Sequence, residues 1–157
     1  MRCFRNKHIV MLFIAMAALI VAAGMGVAAA EPKWTIGFSN ASVSNTWRVA
    51  MYNFVMEEAK KHPEVKLLYT DANDNPVKQI ADVEDLLVKG IDILMISPAT
   101  PDALAPAVDK AFNSGIPVVV FDRAVNTDKY TTFVVTDDVK NGRLAATKAV
   151  ELLKEKY

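Results

Sequence analysis

From Trp34 onward, short apolar runs alternate with segments of helical period, and this alternation restricts the possible folds more than any other feature. Trp34 to Ser39 reads as a strand ending in polar residues, and Asn45 to Lys61 carries Val49, Tyr52, Met56 and Ala59 at helical spacing. Val65 to Thr70 is a second strand. Asn75-Pro76 then opens a helix, with asparagine as its cap and proline at the first helical position, and the apolar stripe is Ile80, Val83, Leu86 and Leu87. Gly90 closes that helix, and Ile91 to Ile96 is nearly continuously apolar, as a strand buried on both faces must be. Thr100-Pro101 starts a helix with the stripe Leu104, Val108, Ala111 and Phe112. Gly115 ends it, and Pro117 precedes the strand Val118 to Phe121. Thr132 to Val135 is a fifth strand, and the last helix runs from Asp138 with Ala145, Ala149, Leu152 and Leu153 on one face.

Connections too long for hairpins make the strands parallel, with right-handed crossovers. The expected fold is therefore α/β: a doubly wound parallel sheet of order 2-1-3-4-5, three layers α/β/α, with helices covering both faces. No internal repeat, low-complexity tract or long linker interrupts residues 31–157, so they read as one domain.

Residues 1–30 are different material. Twenty-three of them are hydrophobic, against about 46% of the remainder. A basic start from Met1 to His8, an apolar run from Ile9 to about Ala23 and the small residues Ala28-Ala29-Ala30 form a secretory signal peptide, with cleavage after Ala30. The competing reading is a transmembrane anchor, since Ile9 to Ala30 is long enough to span a bilayer. Gly24, Gly26 and the small-residue exit favour cleavage. Cys3 precedes the apolar run, so it is not a lipidation site, and residues 31–157 contain no cysteine. Disulfides and thiolate metal sites are excluded there. The same residues hold 15 basic and 18 acidic side chains, a mildly acidic balance with no footprint for nucleic acid or anionic lipid.

In an open parallel sheet the binding crevice lies beyond the carboxyl ends of the strands, so the residues just after each strand are informative. They are Ser39, Asn40, Asn45, Trp47 and Arg48 after the first, Asp71 and Asn73 after the second, and Ser97 after the third. Asp122 and Arg123 follow the fourth, and Thr136, Asp137 and Asp138 the fifth. Neutral donors, carboxylates and two arginines suit an uncharged polyhydroxylated ligand, because carboxylates accept from hydroxyls and a guanidinium donates in a fixed plane. Plainer readings stand beside this one. Asp122 and Arg123 can form a rim ion pair worth under about 1 kcal/mol, Trp47 can pack rather than stack, and Asp137-Asp138 suits a helix cap. Asp71, Asn73 and Asn75 match the start of a calcium loop, but Pro76 stands where the turn needs glycine and Asp82 where it needs glutamate, so no metal is expected.

Several segments occur in a familiar order: Gly37-Phe38-Ser39-Asn40, Asn45-Thr46-Trp47-Arg48, Asp71 to Pro76, Ile96-Ser97-Pro98, Phe121-Asp122-Arg123, and Thr136-Asp137-Asp138 followed by Gly142. Together they resemble the amino-terminal lobe of periplasmic sugar-binding proteins of the ribose-binding type, across residues 33–157. The resemblance implies a monosaccharide, pentose or hexose, held between two lobes and presented to an ABC-type permease in the inner membrane. The carrier would be a monomer with no cofactor, in a periplasmic or extracytoplasmic location. It also implies sugar contacts from Ser39, Asn40, Asn45, Trp47, Arg48, Asp122, Arg123 and Asp137. Ribose binders carry two consecutive aromatics where this chain has Trp47-Arg48, and that pair is more similar to galactofuranose-binding members.

Two-lobed members are roughly twice as long, so a missing second lobe is expected, with residues 31–157 as one wall of the cleft. An enzyme is the competing class. His8 lies in the signal and His62 beside Pro63, so no histidine-activated nucleophile can be assembled, although Asp122 and Asp137 would be the pair for a glycosidase. A phosphoryl-accepting receiver needs acidic residues where Ser39-Asn40 and Ser97 stand, and a repressor needs a DNA-binding segment where the signal lies. A periplasmic sensor or adaptor serving a chemoreceptor or sensor kinase remains open beside transport.

Overall fold

Five parallel strands form one sheet: β1 (Trp34–Asn40), β2 (Val65–Asp71), β3 (Ile93–Ser97), β4 (Val118–Phe121) and β5 (Thr132–Val134). Their order is β2-β1-β3-β4-β5, as the alternation of the sequence predicts. The structure is a computed structural model that describes residues 31–157, and the expected signal peptide, residues 1–30, lies outside the described residues. Four helices accompany the sheet: α1 (Thr46–Ala59), α2 (Pro76–Val88), α3 (Pro101–Asn113) and α4 (Asp138–Lys156).

Local chemistry sets the helix ends. The side-chain oxygens of Asn45, Asn75 and Asp137 accept from the backbone N–H groups of Arg48, Lys78 and Lys140, satisfying donors that the first helical turn leaves free. Thr100 occupies the equivalent place before α3 without a side-chain bond. Gly90 and Gly115 close α2 and α3 at φ 73° and 81°, where a side chain would be strained.

Alternation along the strands divides the apolar residues between two faces. On one face α2 and α3 bury Val83, Leu86, Leu104 and Val108 against Leu94, Ile96, Val118 and Val120, all 0–1% exposed. Gly37 of β1 points into this layer. A Cβ there would stand 2.8 Å from Ile91 Cδ1 and 3.2 Å from Leu86 Cδ1, so the close approach of helix to sheet depends on its missing side chain.

The opposite face carries an aromatic cluster. Phe38 meets Tyr69 edge-on at 5.2 Å and Phe121 at 5.5 Å, and Tyr52 of α1 lies 4.6 Å from Tyr69. Here the coverage differs from expectation. Beside α1 runs a groove of about 510 Å³ lined by Trp47, Met51 and Phe54 of the helix and by Met95, Val119, Phe121 and Val134 of the sheet. The predicted stripe of α4, Ala145, Ala149, Leu152 and Leu153, is exposed, and α4 has no buried residue. Val49 and Phe112, also expected in buried stripes, are 40% exposed. Helical periodicity identifies an apolar face without specifying what covers it.

The contact at Gly37 makes a direct test. Gly37→Val should overpack the α2 layer and cost about 1–3 kcal/mol in urea unfolding, with the fold retained by circular dichroism. An unchanged unfolding midpoint would show that Ile91 and Leu86 yield freely.

Candidate functional site

Parallel pairing brings all the strand carboxyl ends to one edge. Asn40 stands opposite both Asp71 and Ser97, and Phe121 opposite Val134, so Asp122 emerges beside this row. Its N–H donates to the Val134 carbonyl at 3.1 Å. Asp122 adopts φ 68°, a left-handed conformation that costs a non-glycine residue about 1–2 kcal/mol. That strain turns the chain sharply and aims the carboxylate back across the strand tips.

Two donors hold the carboxylate there. Arg48 Nη2 donates to Asp122 Oδ2 at 2.9 Å, and Ser97 Oγ donates to the same oxygen at 3.1 Å. The side chain of Arg48 is 3% exposed and that of Asp122 19%, so solvent screens the pair little. The Asn45 cap bond to the Arg48 N–H, 2.9 Å, fixes the first turn of α1 from which this guanidinium extends. Arg123 goes elsewhere, donating from Nη1 to the Ala99 carbonyl at 2.9 Å. The Asp122–Arg123 rim pair considered from sequence is thus replaced by an Asp122–Arg48 pair.

Three buried polar atoms have no partner among the described residues: Asn40 Oδ1, Arg48 Nη1 and Thr70 Oγ1. Each uncompensated group of this kind costs about 1–3 kcal/mol. Asn40 forms the tip of β1, and its Nδ2 donates to the Ser42 carbonyl at 2.9 Å. An acceptor on Asn40 and a donor on Arg48 therefore remain unpaired beneath the strand tips, closed off from solvent.

The loop after β2 adds a carboxylate, Asp74, that sequence reasoning did not single out. Asn73 and Asp74 are both left-handed, at φ 53° and 57°, and the Asp74 N–H donates to the Ala41 carbonyl at 2.7 Å. Hydrogen bonding from Ser42 and Ser44 and the positive charges of Arg48 and Arg123 hold the Asp74 carboxyl below its ordinary range, against a smaller opposing desolvation. Among the described residues, no group of three or more His, Cys, Asp or Glu is placed to hold a metal ion.

The remaining expected residues separate. Ser39 is fully buried and turned toward α2, where its Oγ accepts from Gln79 Nε2 at 3.2 Å, which corrects its expected place on the rim. Trp47 is 53% exposed and lines the apolar groove beside α1. Asp137 caps α4 by accepting from the Lys140 N–H at 2.9 Å, and Thr136 Oγ1 donates to Asp138 Oδ1 at 2.8 Å. Gln79 was missed, although it shares a helical stripe with Val83 and Leu86, where a polar residue stands out.

Asp74 offers a pH test. Because its folded pKa is depressed, its stabilising contribution is complete above the ordinary carboxylate range and is lost as pH falls through the lower folded value. Asp74→Asn should lower the urea midpoint at neutral pH, and the difference from wild type should vanish in acid. A constant difference at every pH would assign the effect to shape rather than charge.

A family profile described as "Periplasmic binding protein domain" matches residues 36–157. The ribose import binding protein RbsB of Bacillus subtilis (strain 168) is 39% identical over 116 residues, covering 74% of this chain and 38% of that protein. The galactofuranose-binding protein YtfQ of Escherichia coli (strain K12) is 31% identical over 127 residues, covering 79% and 40%. Among solved structures, the fructose-binding periplasmic domain of a hybrid two component system superimposes with a TM-score of 0.68 at 31% identity, covering 77% of this chain and 40% of that one. The chain thus spans about two-fifths of the length of the relatives it matches. This is a family of binding proteins rather than of enzymes. The chain belongs to the periplasmic binding protein domain family.

Proposed function

We propose that residues 31–157 form one wall of a sugar-binding cleft in the extracytoplasmic component of an ABC-type importer. The observation that carries this reading is the Arg48–Asp122–Ser97 cluster at the strand tips, with Arg48 Nη1 buried and unpartnered among the described residues. Asn40, Arg48, Asp122 and Arg123 are the hydroxyl-gripping set, and Asn45 supports it through the start of α1. Trp47 and Asp137 stand at its margins. The Trp47-Arg48 pair favours a furanose of the galactofuranose kind, while the higher identity to the ribose import binding protein, 39% against 31%, favours ribose.

One wall grips weakly. A small-ligand pocket normally removes about 70–90% of the ligand surface from water, which takes two walls. If two lobes together reach about −8 kcal/mol and this one supplies half, it binds alone near millimolar. In a two-lobed protein the sugar would stabilise the closed state through contacts that the open state lacks.

A second reading keeps the ligand and changes the partner. The match to a fructose-binding domain of a hybrid two component system favours a sensor role, in which closure is read by a kinase instead of a permease. Neighbouring genes for a permease and an ATPase would select transport.

Titration of isotope-labelled residues 31–157 with ribose, galactose and arabinose should shift NMR signals of Asn40, Arg48, Asp122 and Arg123 at millimolar sugar. Silence from these residues with every sugar would end the reading. In a two-lobed protein, Asp122→Ala or Arg123→Ala should cost about 1.5–3 kcal/mol of sugar affinity, as expected for lost charged hydrogen bonds. Export belongs to the same proposal: mass spectrometry of protein recovered from the periplasm should find Glu31 as its first residue, whereas a retained leader would indicate an anchor.

A further inference from the structure

Gln79 is 0% exposed on α2, yet its amide makes three hydrogen bonds to two separate segments, the end of β1 and the turn after β3. Nε2 donates to Ser39 Oγ at 3.2 Å and to the Ser97 carbonyl at 3.0 Å, and Oε1 accepts from the Ala99 N–H at 2.7 Å. The chain between these last two contacts is Pro98, which is fully buried and has no N–H of its own. Gln79 therefore holds both ends of the turn that leaves β3.

That turn is the support on which the proposed sugar contacts rest. Ser97 Oγ donates to Asp122 Oδ2, and the Ala99 carbonyl accepts from Arg123 Nη1. Each of the two adjacent residues thus leans on one end of the turn, and Gln79 binds each end from beneath. The Gln79 amide supplies the required donor and acceptor together: a carboxylate would face the Ser97 carbonyl with no hydrogen, and an aliphatic chain would leave both backbone groups unpaired. We propose that Gln79 is a positioning residue for the Asp122–Arg123 pair, acting through Ser97 and Ala99 without touching ligand. This rests on the sugar-binding reading for its purpose but not for its geometry.

The test uses the whole chain, with NMR order parameters of the Asp122 amide and the Arg123 side chain measured without sugar. In wild type both should be rigid, at about 0.85, and Gln79→Met should drop both below about 0.6. Gln79→Glu, which keeps the acceptor for Ala99, should loosen Asp122 more than Arg123. Val108→Ala, a buried change in α3 away from the tips, should lower the urea midpoint while leaving both order parameters alone. Unchanged order in Gln79→Met, or equal loosening in Val108→Ala, would overturn the proposal. Wild-type hydrogen exchange gives a check that no folding failure can remove: the Ala99 amide should exchange as slowly as the core strands, and fast exchange would refute the anchor. A parallel ribose titration separates the two ideas. Loosening in Gln79→Met with no sugar response in wild type would retain the positioning role and discard the sugar.

Discussion

The contact between Arg48 and Asp122 spans 74 residues of sequence and joins the first turn of α1 to the end of β4. It is the constraint from which the rest of the site follows. A part-buried ion pair of this kind is a weak source of net stability, since desolvation consumes much of its attraction, but removing either partner leaves an uncompensated charge. Its value lies in orientation. The carboxylate sits on a left-handed residue, and Arg48 and Ser97 both grip the same oxygen, so the side chain has little freedom left to lose when a ligand arrives.

The same logic extends one layer down. Arg48 depends on the capped start of α1, Ser97 on the register of β3 against β1, and the turn after β3 on Gln79. Gly37 lets α2 approach closely enough for these bonds to form, because a larger residue at that strand position would meet Ile91 and Leu86. Binding geometry here is built from backbone packing outward, and the polar edge inherits its accuracy from an apolar layer that touches no ligand.

Much of this was legible in the sequence. Strand and helix positions follow from short apolar runs and helical periods, and Asn75-Pro76, Gly90 and Gly115 mark helix ends for reasons local to those residues. Partnership was less legible. Asp122 and Arg123 are neighbours in sequence, yet left-handed geometry sends their side chains to Arg48 and Ala99 respectively. Ser39 and Asn40 are also neighbours, but strand alternation sends one toward α2 and leaves the other at the tip. A residue's place just after a strand thus locates it on the edge without deciding which way it points.

The apolar groove beside α1 shows the same limit on a larger scale. Trp47 and Phe54 are 53% and 69% exposed, and Val134 on the sheet is 58% exposed, so this face lacks the layer that α2 and α3 provide on the other. The stripe on α4 is equally uncovered. Exposure of Trp47, Phe54 and Val134 leaves the α1 side of the sheet less protected than the α2 side, while the Arg48–Asp122 bond joins α1 to β4 across the edge of that layer. A ligand that engaged the partly exposed Asp122 carboxylate would therefore stabilise the less protected half of the molecule, coupling occupancy of the strand tips to the order of α1 through the Arg48–Asp122 bond.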